Sequence, residues 1–118
     1  MPYRILIVDD VEDTAVSMSH LLESHGYMTR WTTKSSTALA LARKFLPHIA
    51  FIDIGMPELD GWALCKQLKS DPKLDGLRCY AISGYGRVDD ARKSYEAGFD
   101  EHFAKPVSMD QLMAALHR

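Results

Sequence analysis

Short apolar runs alternate along this chain with longer segments in which apolar residues recur every three or four positions. The runs are typical of buried strands, and the longer segments are typical of amphipathic helices. Strands are predicted at 3–8, 27–32, 49–53, 78–83 and 101–105, and helices within 11–26, 35–46, 60–71, 88–98 and 108–118. Because the strands are almost continuously apolar, helices should cover both faces of a parallel sheet. The pattern therefore predicts an open, doubly wound α/β domain.

The predicted helices carry recognisable signals at their ends. Gly26 and Gly98 follow the last apolar positions of the first and fourth helices and can terminate them. Candidate caps at helix starts are the serines at 35 and 36, Asp60, and Ser108 with Gln111 at capping-box spacing. The length suits a single domain, and no linker interrupts the pattern, so one domain is predicted over residues 1–118.

Composition and charge disfavour several classes of protein. The chain has 118 residues, enough to bury a core without disulfides or a structural metal. Its formal net charge of -2 argues against direct binding to nucleic acid or to a membrane surface, and no apolar stretch approaches the roughly 20 residues of a membrane span. Cys65 and Cys79 form no CxxC pair, so two free thiols are expected. The N-terminus is too acidic for a signal peptide, and a cytoplasmic location is predicted.

Polar residues stand at the ends of four of the five predicted strands. Asp9 and Asp10 follow the first strand, Asp53 ends the third, Ser83 ends the fourth and Lys105 ends the fifth. Open α/β sheets place their binding sites at the carboxyl ends of the strands, so these five residues should meet at one edge. Each acid alone could simply cap the helix that follows it, but the lysine at the matching strand end favours a functional site.

Three carboxylates at one edge repel one another, and a bound divalent cation would remove that conflict. Mg²⁺ prefers oxygen ligands and usually keeps waters and a phosphate oxygen in its shell. Asp10 and Asp53 are candidate direct ligands, and Asp9 would act directly or through water. The backbone carbonyl of Gly55 could complete the shell.

A cation, a lysine and a hydroxyl around one carboxylate suit phosphoryl transfer, in which the protein positions the group and stabilises its charge. Asp53 would be the nucleophile and would form an acyl phosphate. Lys105 and the Ser83 hydroxyl would each hold a phosphoryl oxygen. Pro106 restricts the backbone next to the lysine and helps to fix the direction of its side chain.

Four stretches of the chain together resemble the receiver domain of two-component response regulators. They are ILIVDD with Asp9 and Asp10, DIGMPELDG with Asp53, AISG with Ser83, and AKP with Lys105, in the order and spacing of that family. The resemblance covers essentially the whole chain. It implies a flavodoxin-like (βα)5 fold with five parallel strands in the order 2-1-3-4-5. The combination of DIGMP, ISGYG and AGFDEHFAKPV is more similar to receivers attached to hybrid sensor kinases than to those of transcription factors. The chain is expected to be either a stand-alone receiver or one excised from a larger protein.

The resemblance implies a phosphoacceptor signalling module, not an enzyme with substrate turnover. Asp53 would accept a phosphoryl group from a histidine of a sensor histidine kinase or a histidine phosphotransfer protein, with Mg²⁺ held by Asp9 and Asp10. A downstream protein would then read a change in conformation. In the family, movement of the Ser83 hydroxyl is coupled to an aromatic residue three places before the lysine. Here that place holds His102, so the switch departs from the usual pattern.

The residues around the site leave the lifetime of the acyl phosphate open and suggest which segment would move. Gly55 leaves room for an attacking water, whereas Tyr85 could shield the phosphoryl group, so the lifetime of the acyl phosphate is undetermined. The helix at 88–97 would shift together with 83–87 in response to phosphorylation.

Three other interpretations compete with a phosphoacceptor. An Asp-nucleophile phosphohydrolase also uses Mg²⁺ and a lysine, but usually carries a second acid two places after the nucleophile, where Gly55 stands. A nucleotide- or flavin-binding domain would need a glycine-rich loop after the first strand, where Asp9 and Asp10 stand instead. A degenerate receiver that acts only through protein contacts would not need all five site residues.

Overall fold

The computed structural model describes residues 3–55, 61–84 and 90–117, along which strands and helices alternate as predicted. Two predicted strands, at 49–53 and 78–83, are confirmed to the residue, and the other elements lie within their predicted ranges. The elements are β1 (Arg4–Val8), α1 (Glu12–Ser24), β2 (Met28–Thr32), α2 (Ser35–Phe45), β3 (Ile49–Asp53), α3 (Gly61–Lys69), β4 (Arg78–Ser83), α4 (Asp90–Ala97), β5 (Glu101–Ala104) and α5 (Met109–Leu116).

The five strands form one parallel sheet with the order β2-β1-β3-β4-β5. This order confirms the flavodoxin-like topology that the resemblance implies. In the register, Val8 pairs with Ile52 and Asp53 pairs with Ile82. The carboxyl ends of β1, β3 and β4 therefore reach the same edge of the sheet.

Helices cover both faces of the sheet, and successive residues of a strand belong to opposite layers of the core. Ile52 lies in an apolar cluster with residues of α2, α3 and α4. Its neighbour Phe51 lies in a second cluster with residues of α1 and α5. Full burial of one such side chain contributes roughly 1.5–3 kcal/mol, so the two layers hold the strand ends in place from both sides.

The start of α2 differs from the prediction that its serines cap the helix. The N-cap residue is Lys34, which makes no side-chain cap hydrogen bond. Ser35 lies one position later and is buried, and its hydroxyl has no partner in the described part of the chain. Two threonines hold the loop instead: Thr32 Oγ1 accepts the N–H of Lys34 at 3.1 Å and lies 2.6 Å from Thr37 Oγ1. A shift of one residue thus turns the serine from a cap position toward the core.

The end of α3 also differs from its predicted limit at residue 71. The helix ends at Lys69, and Asp71 caps a short 3-10 turn over Pro72–Leu74. The Asp71 side chain accepts the N–H of Lys73 at 3.0 Å. Because a residue that precedes proline disfavours helical backbone, Pro72 explains the early end.

The remaining helix signals that fall on described residues are confirmed. Ser108 Oγ accepts the N–H of Gln111 at 3.1 Å, and Gln111 Oε1 accepts the N–H of Ser108 at 3.0 Å, which is a complete capping box. Gly26 and Gly98 follow α1 and α4 with φ of 92° and 105°. These values lie in the left-handed region that favours glycine. The predicted cap Asp60 lies outside the described residues.

Two predictions from composition can be compared with the fold. Cys65 and Cys79 are both buried and both free, as expected. Across 3–55, 61–84 and 90–117, no helix has the length and apolar character that a membrane crossing requires.

Candidate functional site

Asp53 is the last residue of β3 and is only 6% exposed. Its Oδ1 accepts a hydrogen bond from the backbone N–H of Gly55 at 2.9 Å, and its Oδ2 accepts one from Lys105 Nζ at 3.1 Å. Burying a carboxylate is costly unless it is paired and hydrogen-bonded. The two contacts offset that cost and fix the orientation of the carboxylate at the edge of the sheet.

Asp9 and Asp10 follow β1 and differ in exposure, since Asp9 is buried and Asp10 is exposed. Asp9 Oδ1 accepts the N–H of Val11, the N-cap residue of α1, at 2.9 Å. Its Oδ2 lies 3.3 Å from Lys105 Nζ. Asp9 therefore holds the turn before α1 with one oxygen, without capping the helix itself, and faces the lysine with the other.

The three acids are close enough to share one ion. One carboxylate oxygen from each of Asp9, Asp10 and Asp53 lies within 4.8 Å of the others. Partial burial, a side-chain hydrogen bond to Asp53 and the negative charges of Asp53 and Asp9 raise the pKa of Asp10, against a smaller lowering by Lys105. Three convergent carboxylate oxygens are donors that hard divalent cations prefer. The donor set therefore fits such a cation, whose charge would relieve the repulsion.

Lys105 follows β5 and lies between two of these carboxylates, 3.1 Å from Asp53 Oδ2 and 3.3 Å from Asp9 Oδ2. Burial disfavours its charged form, but the charge of Asp9 and the hydrogen bond and charge of Asp53 outweigh burial and raise the pKa of Lys105. The ammonium group therefore stays protonated at neutral pH. The peptide bond between Lys105 and Pro106 is cis.

Ser83 lies on β4, which adjoins the strand that ends in Asp53, and His102 lies on the next strand, β5. Ser83 ends β4 and is buried, and its carbonyl oxygen accepts the N–H of Lys105 at 2.8 Å. His102 is half-buried on β5, where it pairs in register with Ala81. The structure thus joins Ser83 to the lysine through the backbone, and the roles of Ser83 and His102 in a switch stay predictions.

Gly61 is a feature whose importance only the structure reveals. A Cβ atom at this position would lie 2.6 Å from Ile54 Cα and 2.8 Å from the carbonyl oxygen of Asp53. Contacts this short do not occur, so only glycine lets the first turn of α3 approach the end of β3. In the sequence, Gly61 is visible only as one letter of DIGMPELDG. By contrast, a Cβ atom at Gly55 would meet Asp53 Oδ1 at an ordinary 3.6 Å, and the carbonyl of Gly55 as a metal ligand stays a prediction.

Some residues singled out in the sequence lie outside the described residues. They are Met56 and Pro57 in the stretch DIGMPELDG after β3, Tyr85 after Ser83, and the rest of the stretch at 85–87.

The fold and this edge define a class: a flavodoxin-like domain with three acids and a lysine at the carboxyl ends of its strands. Within that class the chain belongs to the response regulator receiver domain family, whose model matches residues 5–117. Family membership does not favour the phosphohydrolase alternative.

Known proteins agree with this assignment. The response regulator PleD of Caulobacter vibrioides is 32% identical over 114 residues, which are 97% of this chain and 25% of PleD. The chain thus spans about a quarter of that relative. A putative response regulator from Chloroflexus aurantiacus is 28% identical with a TM-score of 0.91, over 98% of this chain and 95% of that one. A response regulator protein from Burkholderia pseudomallei, solved with a phosphorylated aspartic acid, a calcium ion and citrate, is 26% identical with a TM-score of 0.87, over 97% of this chain and 66% of that one.

Proposed function

We propose that residues 1–118 form one receiver domain in which Asp53 accepts a phosphoryl group from a histidine of a partner protein. The observation that carries the proposal is the setting of the Asp53 carboxylate. It lies between the Gly55 N–H and the Lys105 ammonium group, with oxygens of Asp9 and Asp10 within 4.8 Å. A signalling module of this kind promotes only the addition and removal of its own phosphoryl group.

The chemistry follows from charge and position. A lone pair of the Asp53 carboxylate attacks phosphorus, an O–P bond forms, and the P–N bond to the partner's histidine breaks with the electron pair leaving on the imidazole. Lys105 is placed to donate to a phosphoryl oxygen, and the Ser83 hydroxyl is proposed to hold another. When bound at Asp9, Asp10, Asp53 and the Gly55 carbonyl, Mg²⁺ supplies positive charge that lowers the repulsion between the acids and the incoming group.

The Burkholderia pseudomallei relative supports this chemistry. That protein carries a phosphorylated aspartic acid and a calcium ion. Calcium and magnesium are both hard cations that take carboxylate oxygens. The same two features are therefore proposed for this chain, with the acyl phosphate on Asp53.

A groove beside the site suits a helix of the phosphodonor. It encloses about 450 Å³ and is lined by both Asp9 and Lys105. Its apolar lining comes from α1, β4 and α5 and from the segment between β5 and α5, namely Met18, Leu21, Ile82, Pro106, Val107 and Leu112. An amphipathic helix can lay its apolar face in such a groove. We therefore place the helix that carries the donor histidine of a sensor kinase or phosphotransfer protein here.

Output is proposed to run through a downstream protein that reads the phosphorylated form, with Ser83 and His102 as switch residues. The buried free thiols of Cys65 and Cys79 suit a reducing compartment, which supports a cytoplasmic location.

The direct test is incubation with Mg²⁺ and acetyl phosphate, followed by intact mass measurement. The wild-type chain should gain one phosphoryl group, and Asp53→Ala should gain none. His48→Gln, at the opposite end of the sheet, is the matched control and should behave as the wild type. A wild-type chain that gains no mass with Mg²⁺ and donor would contradict the proposal.

The donor groove has a test of its own. Leu21→Glu should slow transfer from a phosphorylated sensor kinase that serves the wild type, while uptake from acetyl phosphate is unchanged. Met28→Glu is the matched control, because Met28 is 43% exposed on β2 and Leu21 is 40% exposed on α1. Equal transfer rates in the wild type and Leu21→Glu would show that the donor protein does not bind in the groove.

A further inference from the structure

A side-chain hydrogen bond joins α3 to α4. Trp62 Nε1 donates to Ser94 Oγ at 3.0 Å, and Ser94 is completely buried. Lys93 Nζ lies 5.4 Å from the centroid of the Trp62 ring, within the range of a cation–π interaction. A neutral hydrogen bond to a buried hydroxyl is costly to lose, because the hydroxyl would then be left without a partner. The two helices are thus connected by a specific contact in addition to apolar packing.

The two helices are anchored very differently. On α3, the buried side chains Leu64, Cys65 and Leu68 fix the helix in the core. On α4, the buried residues among 92–97 are only Ser94 and Ala97, and the other four positions are exposed. Elements with little buried apolar surface open and shift at low cost. The hydrogen bond from Trp62 is therefore a large part of what positions this stretch of α4.

The first turn of α3, which carries Trp62, also contacts the end of β3 next to Asp53. Trp62 follows Gly61, where an added Cβ atom would lie 2.6 Å from Ile54 Cα and 2.8 Å from the carbonyl oxygen of Asp53, so that no side chain fits. A displacement of the backbone at Asp53 therefore reaches the first turn of α3 directly, because a close-packed contact transmits strain. Trp62 is the next residue along.

We propose that Trp62 is a positioning residue that couples the state of Asp53 to α4 through its hydrogen bond to Ser94. The inference rests on the proposed function, because it assumes that Asp53 becomes phosphorylated. It adds a route through α3 that is separate from Ser83 and His102.

Amide hydrogen exchange of residues 92–97 tests the coupling, measured with and without Mg²⁺ and acetyl phosphate. In the wild type, phosphorylation should change the exchange rates by about fivefold or more, the lower end of a typical coupling. Trp62→Phe keeps the ring but removes the donor, and Ser94→Ala removes the acceptor. Each should abolish most of that change, and the double variant should do no more than either single one, because both remove the same bond. Tyr95→Phe, on the exposed side of α4, is the matched control and should respond as the wild type.

Indole fluorescence gives a second measurement. The chain has two tryptophans, so Trp31→Phe leaves Trp62 as the single emitter. Its emission should change on phosphorylation, and Ser94→Ala in that background should remove the change. The coupling would be overturned if Trp62→Phe and Ser94→Ala kept the full wild-type exchange response, or if the Trp62 emission did not change on phosphorylation.

Intact mass measured on the same samples separates the two proposals. If the wild type takes up no phosphoryl group, the proposed function and this inference are both overturned. If uptake is normal and the variants respond as the wild type does, only the inference is overturned.

Discussion

The two ends of the sheet carry opposite charge. At the amino end the polar groups described below are paired by hydrogen bonds, whereas at the carboxyl end the acids repel one another. At the amino end, His48 Nδ1 accepts the N–H of Arg4 at 2.9 Å, and Arg4 Nε donates to the carbonyl of Leu46 at 2.8 Å. Burial and the positive charges of Arg4 and Arg78 lower the pKa of His48, so the ring is neutral and its acceptor is used. The polar groups there are satisfied by the chain itself.

At the carboxyl end the polar groups are left in conflict. Asp10 lies beside two other carboxylates, and although its side chain is exposed, partial desolvation together with Asp53 and Asp9 raises its pKa. Lys105 offsets only part of this negative charge. Perturbed acids at a cleft are typical of functional sites, whereas satisfied polar groups are typical of structural ones. The difference supports the proposal that the carboxyl end receives a cation and a phosphoryl group, whereas the contacts at the amino end are structural.

The largest expected effect comes from removing the positive charge of Lys105 at the carboxyl end of the sheet. Lys105→Met should lower the initial rate of phosphoryl uptake from acetyl phosphate by about 10²-fold, as loss of one group that stabilises transition-state charge typically does. The rate is measured by intact mass over time at fixed Mg²⁺. Arg4→Met removes a cation from the amino end and should leave the rate unchanged. Equal losses in both variants would show that net charge matters and that the position of Lys105 does not.

Metal binding should stabilise the carboxyl end. Mg²⁺ at a hundredfold excess over its Kd should raise the free energy of unfolding by about 2.7 kcal/mol, since binding favours the folded state by mass action. Urea unfolding with and without MgCl₂ measures the gain. Asp10→Asn should lose most of it and should not be destabilised without metal, because it removes a repelling charge. Asp75→Asn, near the amino end, should keep the full gain, and a gain that survives Asp10→Asn would remove that residue from the metal site.

Gly61→Ala tests the packing of the end of β3 against α3. The added Cβ atom would meet the backbone of Ile54 at 2.6 Å, and relief of such overpacking should cost about 2 kcal/mol of unfolding free energy. Thermal or urea unfolding gives the value. Gly76→Ala is not a clean control because its φ of 85° adds strain of its own. Gly84→Ala meets nothing within 4 Å and should be nearly neutral. If Gly61→Ala were as stable as the wild type, α3 would be able to move away from the end of β3 without a loss of unfolding free energy.

The smallest effect is a pH dependence of opposite sign at the two ends. The folded-state pKa of Asp10 is raised, so the folded form binds more protons between about 3.9 and that raised value, and stability should rise as pH falls through this window. The folded-state pKa of His48 is lowered, so the unfolded form binds more protons below about 6.5, and stability should fall as pH falls. Urea unfolding measures this between pH 7 and pH 4. In Asp10→Asn the increase in unfolding free energy as pH falls toward 4 should disappear, and in His48→Gln the decrease below about pH 6.5 should weaken. The reverse assignment of slopes would contradict the comparison.

Much of the fold and of the candidate site could be predicted because the signals are local. The apolar runs define β3 and β4 to the residue, and Asp9, Asp53 and Lys105 are visible as polar residues at strand ends. Parallel strands bring such ends to one edge whatever the details of packing. Pro72 is also a local signal, and it accounts for the end of α3 at Lys69, before the predicted limit at residue 71.

Other features depend on parts of the chain that are distant in sequence. The chain itself determined the alternation of strands and helices, the parallel sheet and the identity of the residues at its carboxyl edge, because periodicity and strand ends are properties of short segments. The tertiary structure decided that Lys105 lies between Asp9 and Asp53, that Gly61 touches the end of β3, and that Trp62 binds Ser94 across 32 positions. The strand ends predict that the acids and the lysine share one edge, but the individual contacts arise only when separate helices and strands pack together.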